Sequence, residues 1–190
     1  MKVIKDIDSF IKDNNITHIF LDIDGVIFHS CQAMIDILNE RYGGNFDGSD
    51  VTSWNFQCCY PNMTSEEIED MFNDPKFFDI VKPIDGALEF MDRYRDKIIL
   101  VTKANIENYV HKRKWFDDRG FNIPMIALPL SVSKSLVNMN SVTEYSIFID
   151  DSTQNLIDSN ADFRVQFREF NDQKEREWQK GWGGLVMYQW

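Results

Sequence analysis

The stretch Phe20-Leu21-Asp22-Ile23-Asp24-Gly25-Val26 constrains this chain more than any other. An apolar run from Ile16 to Leu21 stops at two carboxylates separated by one residue, and a glycine follows. Read as a buried strand, the run carries the chain to a sheet edge and presents Asp22 and Asp24 there. Residues i and i+2 of a strand point to the same side, so both carboxylates can serve one site. Gly25 permits the tight turn that leaves the strand. Two like charges this close repel, and a bound cation relieves the repulsion. The plainer alternative is a polar turn that closes a strand and does nothing else. A calcium loop of the EF-hand type is excluded, because it needs further oxygen ligands at alternating positions and a closing glutamate. Val26, Ile27 and Phe28 stand there instead.

The rest of the chain is long enough to bury such a strand. Its 190 residues suit one core with a small inserted domain, and 43% hydrophobic residues argue for a globular fold. No apolar stretch approaches the roughly 20 residues of a membrane span. Met1-Lys2-Val3-Ile4-Lys5-Asp6 lacks the apolar core of a signal peptide. A cytoplasmic protein without a membrane partner is the expectation. Cys31 stands apart from the adjacent Cys58 and Cys59, a spacing that suits neither zinc nor redox chemistry and reads as free thiols. The net charge of −11 disfavours binding to long nucleic acid. A small phosphorylated substrate remains compatible, because a few lysines and a metal neutralise it locally.

Taken in order, the chain alternates helix and strand with one interruption. Residues 3 to about 14 read as an amphipathic helix, with Ile4, Ile7, Phe10 and Ile11 on one face. The strand to Asp22 comes next, then a helix from about Ser30 to Tyr42 that Gly43-Gly44 stops. From Asn45 to about Lys82 strand patterns vanish and aromatics and turn residues dominate. Thr64 and Glu67 there form a helix-capping pair. This is read as a small helical insertion able to cover the strand end as a lid, with boundaries at 31–82 between core segments 1–30 and 83–190. After Pro83 the expected elements are a helix to Arg95, a strand from Lys97 to Val101, a helix from Ile106 to Arg119 and a strand from Pro124 to Leu128. A strand from Tyr145 to Ile149, a helix from Thr153 to Ser159, a strand from Phe163 to Phe167 and a helix from Asp172 to Lys180 complete it. Such alternation implies an α/β, Rossmann-like fold with a parallel sheet between helices.

Ligands of open parallel sheets bind outside the carboxyl ends of the strands. Three strands here end in polar groups, namely Asp22/Asp24, Thr102/Lys103 and Asp150/Asp151, and Lys134 precedes the last of them. This set suits phosphoryl transfer. Asp22 would attack phosphorus, and Asp24 would protonate the leaving oxygen and then deprotonate water. Magnesium favours carboxylate and carbonyl oxygens. Asp22 and Asp150 would hold it, with the backbone carbonyl of Asp24 and a direct or outer contact from Asp151. Thr102, Lys103 and Lys134 would bind phosphoryl oxygens.

The order Asp-x-Asp-Gly-Val, a Thr after a strand, a Lys, and Asp-Asp after a strand resembles the haloacid dehalogenase superfamily of phosphatases. More narrowly, the chain resembles the 5'(3')-deoxyribonucleotidases. Phe77-Phe78, Pro83-Ile84-Asp85-Gly86-Ala87, Ser133-Lys134-Ser135-Leu136-Val137 and Ile149-Asp150-Asp151 carry that likeness, over about Thr17 to Trp182. Lys103 stands where a small polar residue is usual, so that it either adds a phosphate contact or crowds the site, and Ser152 stands where an arginine often follows the paired aspartates. Lys112, in Lys-x-x-Trp, competes with Lys134 for the phosphate-lysine role, and Lys134 is preferred for its place before the last acidic strand. The resemblance implies a magnesium-dependent monoesterase for deoxyribonucleoside monophosphates. Another small ester such as a sugar phosphate, or a non-catalytic nucleotide binder, is the alternative, and the sequence allows a homodimer. Trp54, Phe56, Phe77 and Phe78 could stack a substrate base, although most of them are read as the cap's own small core; Trp54 is the leading candidate for substrate contact, with Phe77 named beside it. His29 and His111 are assigned no catalytic role. Trp178 and Trp182, four apart, are read as one helical face packed on the sheet.

Overall fold

The computed structural model of the chain describes residues 1–169 and 176–190. Among the described residues seven strands form one parallel sheet. They are β1 (Lys2–Val3), β2 (Ile16–Leu21), β3 (Ile98–Lys103), β4 (Met125–Leu128), β5 (Tyr145–Asp150), β6 (Phe163–Phe167) and β7 (Leu185–Met187), in the spatial order β1-β7-β6-β5-β2-β3-β4. Helices α1 (Ile7–Asp13), α2 (Ser30–Tyr42), α3 (Ser65–Asn73), α4 (Pro75–Ile80), α5 (Ala87–Arg93), α6 (Ile106–Asp117) and α7 (Thr153–Asp158) connect and cover it. The fold is the expected α/β, Rossmann-like architecture.

The central strands are apolar without alternation because both faces are covered. Ile147, Phe148 and Ile149 of β5 are fully buried, as are Ile19 and Leu21 of β2. Burying each such side chain is worth roughly 1.5–3 kcal/mol, so the centre of the sheet is where the fold is held most firmly. On one face Phe28 meets Trp115 and Phe116 of α6, with ring centroids 4.5 and 5.4 Å apart. Phe28 also bridges back to Asp24 and to Pro83, which closes the path out of β2 onto the return path at Pro83.

Residues 43–82 hold no strand. They contain a 3-10 turn at Gly48–Asp50 and then α3 and α4. The capping pair forms as read: the Glu67 N–H donates to Thr64 Oγ1 at 3.2 Å, and Glu67 Oε2 accepts from the Thr64 N–H at 2.8 Å. The side-chain amide of Asn108 on α6 donates to the Phe72 carbonyl, which pins the end of α3 beside the strand ends.

Two terminal readings need correction. The first helix starts at Ile7, capped by Asp6, and not at residue 3; Lys2 and Val3 instead pair with Leu185 and Val186. The helix read from Asp172 to Lys180 lies partly outside the described residues, and its described part holds a 3-10 turn at Glu177–Gln179. Gly181, Gly183 and Gly184 then release the chain into β7. That strand is three residues long, too short to announce itself by alternation. Trp178 and Trp182 therefore share no helical face. Cys31, Cys58 and Cys59 are free thiols, and Cys58 is exposed.

Candidate active site

β2, β3 and β5 lie side by side, and their ends deliver the site. Asp22 directly follows β2, Thr102 and Lys103 end β3, and Asp150 ends β5. Gly25 makes the turn after β2 with φ +71, and its N–H donates to the Phe28 carbonyl at 3.0 Å. A Cβ at that position would sit 2.7 Å from Asp151 Oδ2, so the turn needs glycine for closeness as well as for handedness.

Two buried lysines divide the carboxylates between them. Lys134, 1% exposed, donates to Asp150 Oδ2 at 2.7 Å and lies 2.8 Å from Asp22 Oδ1. Lys112, also 1% exposed, donates to Asp24 Oδ2 at 2.5 Å and to Thr102 Oγ1 at 2.8 Å. The Ser30 hydroxyl donates to the other oxygen of Asp24 at 2.8 Å. Asp150 also accepts from the Ser152 N–H at 2.8 Å and from the Asn155 amide at 3.1 Å. The rivalry between Lys112 and Lys134 thus ends with both in the site, one beside each of the two motif aspartates.

One oxygen each of Asp22, Asp150 and Asp151 falls within a 4.8 Å cluster. The Asp24 side chain is not in that set, because Ser30 and Lys112 hold it. Asp151 is the third carboxylate of the cluster, where the sequence reading put Asp24. Burial pushes the Asp22 carboxyl up to about 6, reinforced by Asp150 and Asp24 and opposed by Lys134. Burial, with the charges of Asp150 and Asp22, holds Asp151 well above the usual carboxylate range, against the Trp178 hydrogen bond and Lys134. Burial alone would lower Lys134, but Asp150 and Asp22 outweigh it and raise its ammonium above the ordinary lysine value. Three carboxylates around one ammonium leave surplus negative charge in a dry place. Hard oxygen donors with that surplus fit a divalent cation such as magnesium.

Above this edge opens a cavity of about 370 Å³, within the range of small-molecule sites. Asp22, Asp24, Thr102, Lys103, Lys112 and Lys134 line its floor, and Trp54, Phe72 and Trp178 its wall. Trp54, half exposed, stacks on Phe72 at 5.9 Å and meets Trp178 edge-on at 6.0 Å. Phe77 does not reach the cavity. It is fully buried between Phe72 and Phe78, so its aromatic area serves packing and the reading of Phe77 as a substrate contact is corrected. His29 pairs with Glu169 at 2.5 Å and His111 stacks on Phe78, both outside the cavity lining. Sequence reasoning misses Trp178. No local pattern marks it, since it reaches the site from a turn after the sixth strand.

The profile of the family described as "5' nucleotidase, deoxy (Pyrimidine), cytosolic type C protein" matches residues 14–180. The chain belongs to that family. It is an enzyme, a phosphoric monoester hydrolase of the nucleotidase kind. No curated protein is a significant match to it in sequence. Its fold is shared with a haloacid dehalogenase-like hydrolase from Streptococcus pneumoniae, at TM-score 0.56 and 8% identity over 90% of this chain and 93% of that one. It is also shared with a subfamily IA hydrolase from Geobacter sulfurreducens, at TM-score 0.52 and 16% identity over 81% and 88%. A third is a hydrolase from Deinococcus radiodurans with bound phosphate and sodium, at TM-score 0.50 and 14% identity over 93% and 92%. Among the described residues no helix is long and apolar enough to cross a membrane.

Proposed function

We propose that the enzyme is a magnesium-dependent 5'(3')-deoxyribonucleotidase that hydrolyses deoxyribonucleoside monophosphates through an aspartyl-phosphate. The observation that carries this reading is the placement of Trp54, Phe72 and Trp178 along one wall of the cavity whose floor holds Asp22 and both lysines. A flat aromatic wall suits a base, and the cationic floor suits a phosphate.

In the first step an Asp22 oxygen bonds to phosphorus as the bond from phosphorus to the ester oxygen breaks. Asp24 gives its proton to that leaving oxygen. Asp24 then takes a proton from water, whose oxygen attacks phosphorus and releases phosphate, restoring Asp22. Lys112, bonded to both Asp24 and Thr102, ties the proton carrier to a phosphate-binding hydroxyl. Lys134 holds Asp22 and meets charge that develops on the phosphoryl oxygens. Asp22, Asp150 and Asp151 would hold magnesium, which when bound neutralises carboxylate and phosphate charge. Lys103 lines the same floor and is assigned to phosphate. Residues 31–82 act as the cap that selects the leaving group, and the protein works in the cytoplasm.

Phosphate release from deoxyribonucleotides, ribonucleotides and sugar phosphates, with and without magnesium, tests the proposal. Preference for deoxyribonucleotides and dependence on magnesium are expected. Higher efficiency on a sugar phosphate overturns the substrate, and full turnover in excess chelator overturns the metal.

A further inference from the structure

The turn at Glu177–Gln179 touches both halves of the site. The Trp178 indole N–H donates to Asp151 Oδ2 at 2.6 Å, the one hydrogen bond to that carboxylate from the described residues. Its neighbours fix the turn on two sides. The Glu177 N–H donates to the Thr52 carbonyl at 2.9 Å, and the Arg176 guanidinium donates to the Gly48 carbonyl at 2.8 Å. On the sheet side the fully buried Gln166 amide reaches the Gln179 carbonyl at 3.2 Å and the Asp151 carbonyl at 3.3 Å. The turn is therefore held to the segment that carries Trp54 and to the strand end that carries Asp151.

The chemistry of the contact matters. Asp22 and Asp150 share the Lys134 ammonium, which spends part of their charge. Asp151 is held by a neutral donor, so the contact orients it without spending charge that a cation could use. A carboxylate with one oxygen fixed by a neighbour offers the other in a defined direction, and such outer partners commonly change metal affinity 10–100-fold. Gly25, whose missing Cβ leaves room for Asp151 Oδ2, lies close against the same oxygen.

We propose that Trp178 is a positioning residue for the divalent-cation site: its indole N–H orients Asp151, while its ring packs nearly perpendicular to that of Trp54 and supports it. This rests on the reading of Asp22, Asp150 and Asp151 as that site. The wall that meets the substrate and the carboxylate that meets the metal are thereby one mechanical unit.

The test measures Mn²⁺ binding directly, from the electron paramagnetic resonance signal of the free ion, on substrate-free protein. Trp178→Phe keeps a ring and removes the donor, and about tenfold weaker Mn²⁺ binding is expected. Asp151→Asn weakens binding as well, and in the double variant Trp178→Phe adds no further loss, because its effect passes through that carboxylate. Saturating Mg²⁺ restores turnover of p-nitrophenyl phosphate by Trp178→Phe. Unchanged Mn²⁺ affinity in Trp178→Phe, or additive losses in the double variant, overturns the proposal. If Trp178→Phe does not fold, Trp178→His, which retains an N–H donor, is compared with Trp178→Leu, and equal affinities of those two overturn it. Failure of the unsubstituted protein to bind Mn²⁺ overturns the metal reading itself, and this proposal with it.

Discussion

The Lys112 ammonium lies 2.5 Å from Asp24 Oδ2 in a pocket that leaves the lysine 1% exposed. In the proposed mechanism this contact would give Lys112 to Asp24 as proton carrier and leave Lys134 to Asp22 as nucleophile. Lys112→Met should then slow esters with poor leaving groups far more than those with good ones, because only the former need a proton from Asp24. General acid catalysis is worth about 10²–10⁴-fold, which bounds the difference. Rates on an alkyl phosphate and on p-nitrophenyl phosphate give the comparison. Equal losses on the two would confine Lys112 to binding phosphate.

Asp22, the proposed nucleophile, should also leave a signature in stability. Burial pushes the Asp22 carboxyl up to about 6 in the fold, from 3.8 for the free group. A raised carboxyl favours folding relative to its ionised form below about pH 4, and that advantage is lost as pH rises through 6. The shift corresponds to about 3 kcal/mol. Asp22→Asn cannot ionise, so without metal it should gain on the unsubstituted protein as pH rises from 4 to 7. The same variant should lack turnover. Urea unfolding in chelator at several pH values checks the trend, and a difference independent of pH would remove the strained carboxylate from the account.

Lys134 holds that strain in check. Replacing it with methionine leaves Asp22, Asp150 and Asp151 without the ammonium that two of them share. Breaking a buried ion pair from one side costs about 3–5 kcal/mol. Magnesium should recover more stability in Lys134→Met than in the unsubstituted protein, since the ion supplies the missing charge. Thermal unfolding with and without magnesium reads this. An identical magnesium response in both proteins would place the metal away from these carboxylates.

The features legible in the sequence are those written locally. The apolar run into Asp22, the capping pair Thr64 and Glu67, and the Asp150-Asp151 strand end are patterns of a few adjacent residues, and each forms as read. Trp178 escapes such a reading because its partners, Asp151 and Trp54, are distant in sequence and a spacing of four from Trp182 imitates a helix. Phe77 is misplaced by sequence for a related reason: an aromatic residue carries no mark that separates a wall from a core. The strand Leu185–Met187 pairs with β6 and the chain's own first residues, a partnership that three residues cannot signal.

Trp54 offers the sharpest test of selectivity. It is half exposed, stacked on Phe72 and set on the cavity wall, so its outer face is open to a ligand while its loss removes little core. Trp54→Ala should therefore change stability by less than about 1 kcal/mol, as surface substitutions do. A base stacked on an aromatic ring is worth roughly 1–3 kcal/mol, about fivefold to a hundredfold or more in efficiency. That loss should fall on a deoxyribonucleotide and largely spare p-nitrophenyl phosphate, which needs the floor of the site and little of its wall. The two kcat/KM ratios, measured with the melting temperature of the variant, decide the matter. Equal losses on both substrates would mean that Trp54 sustains closure of the cavity and leaves the base to other contacts.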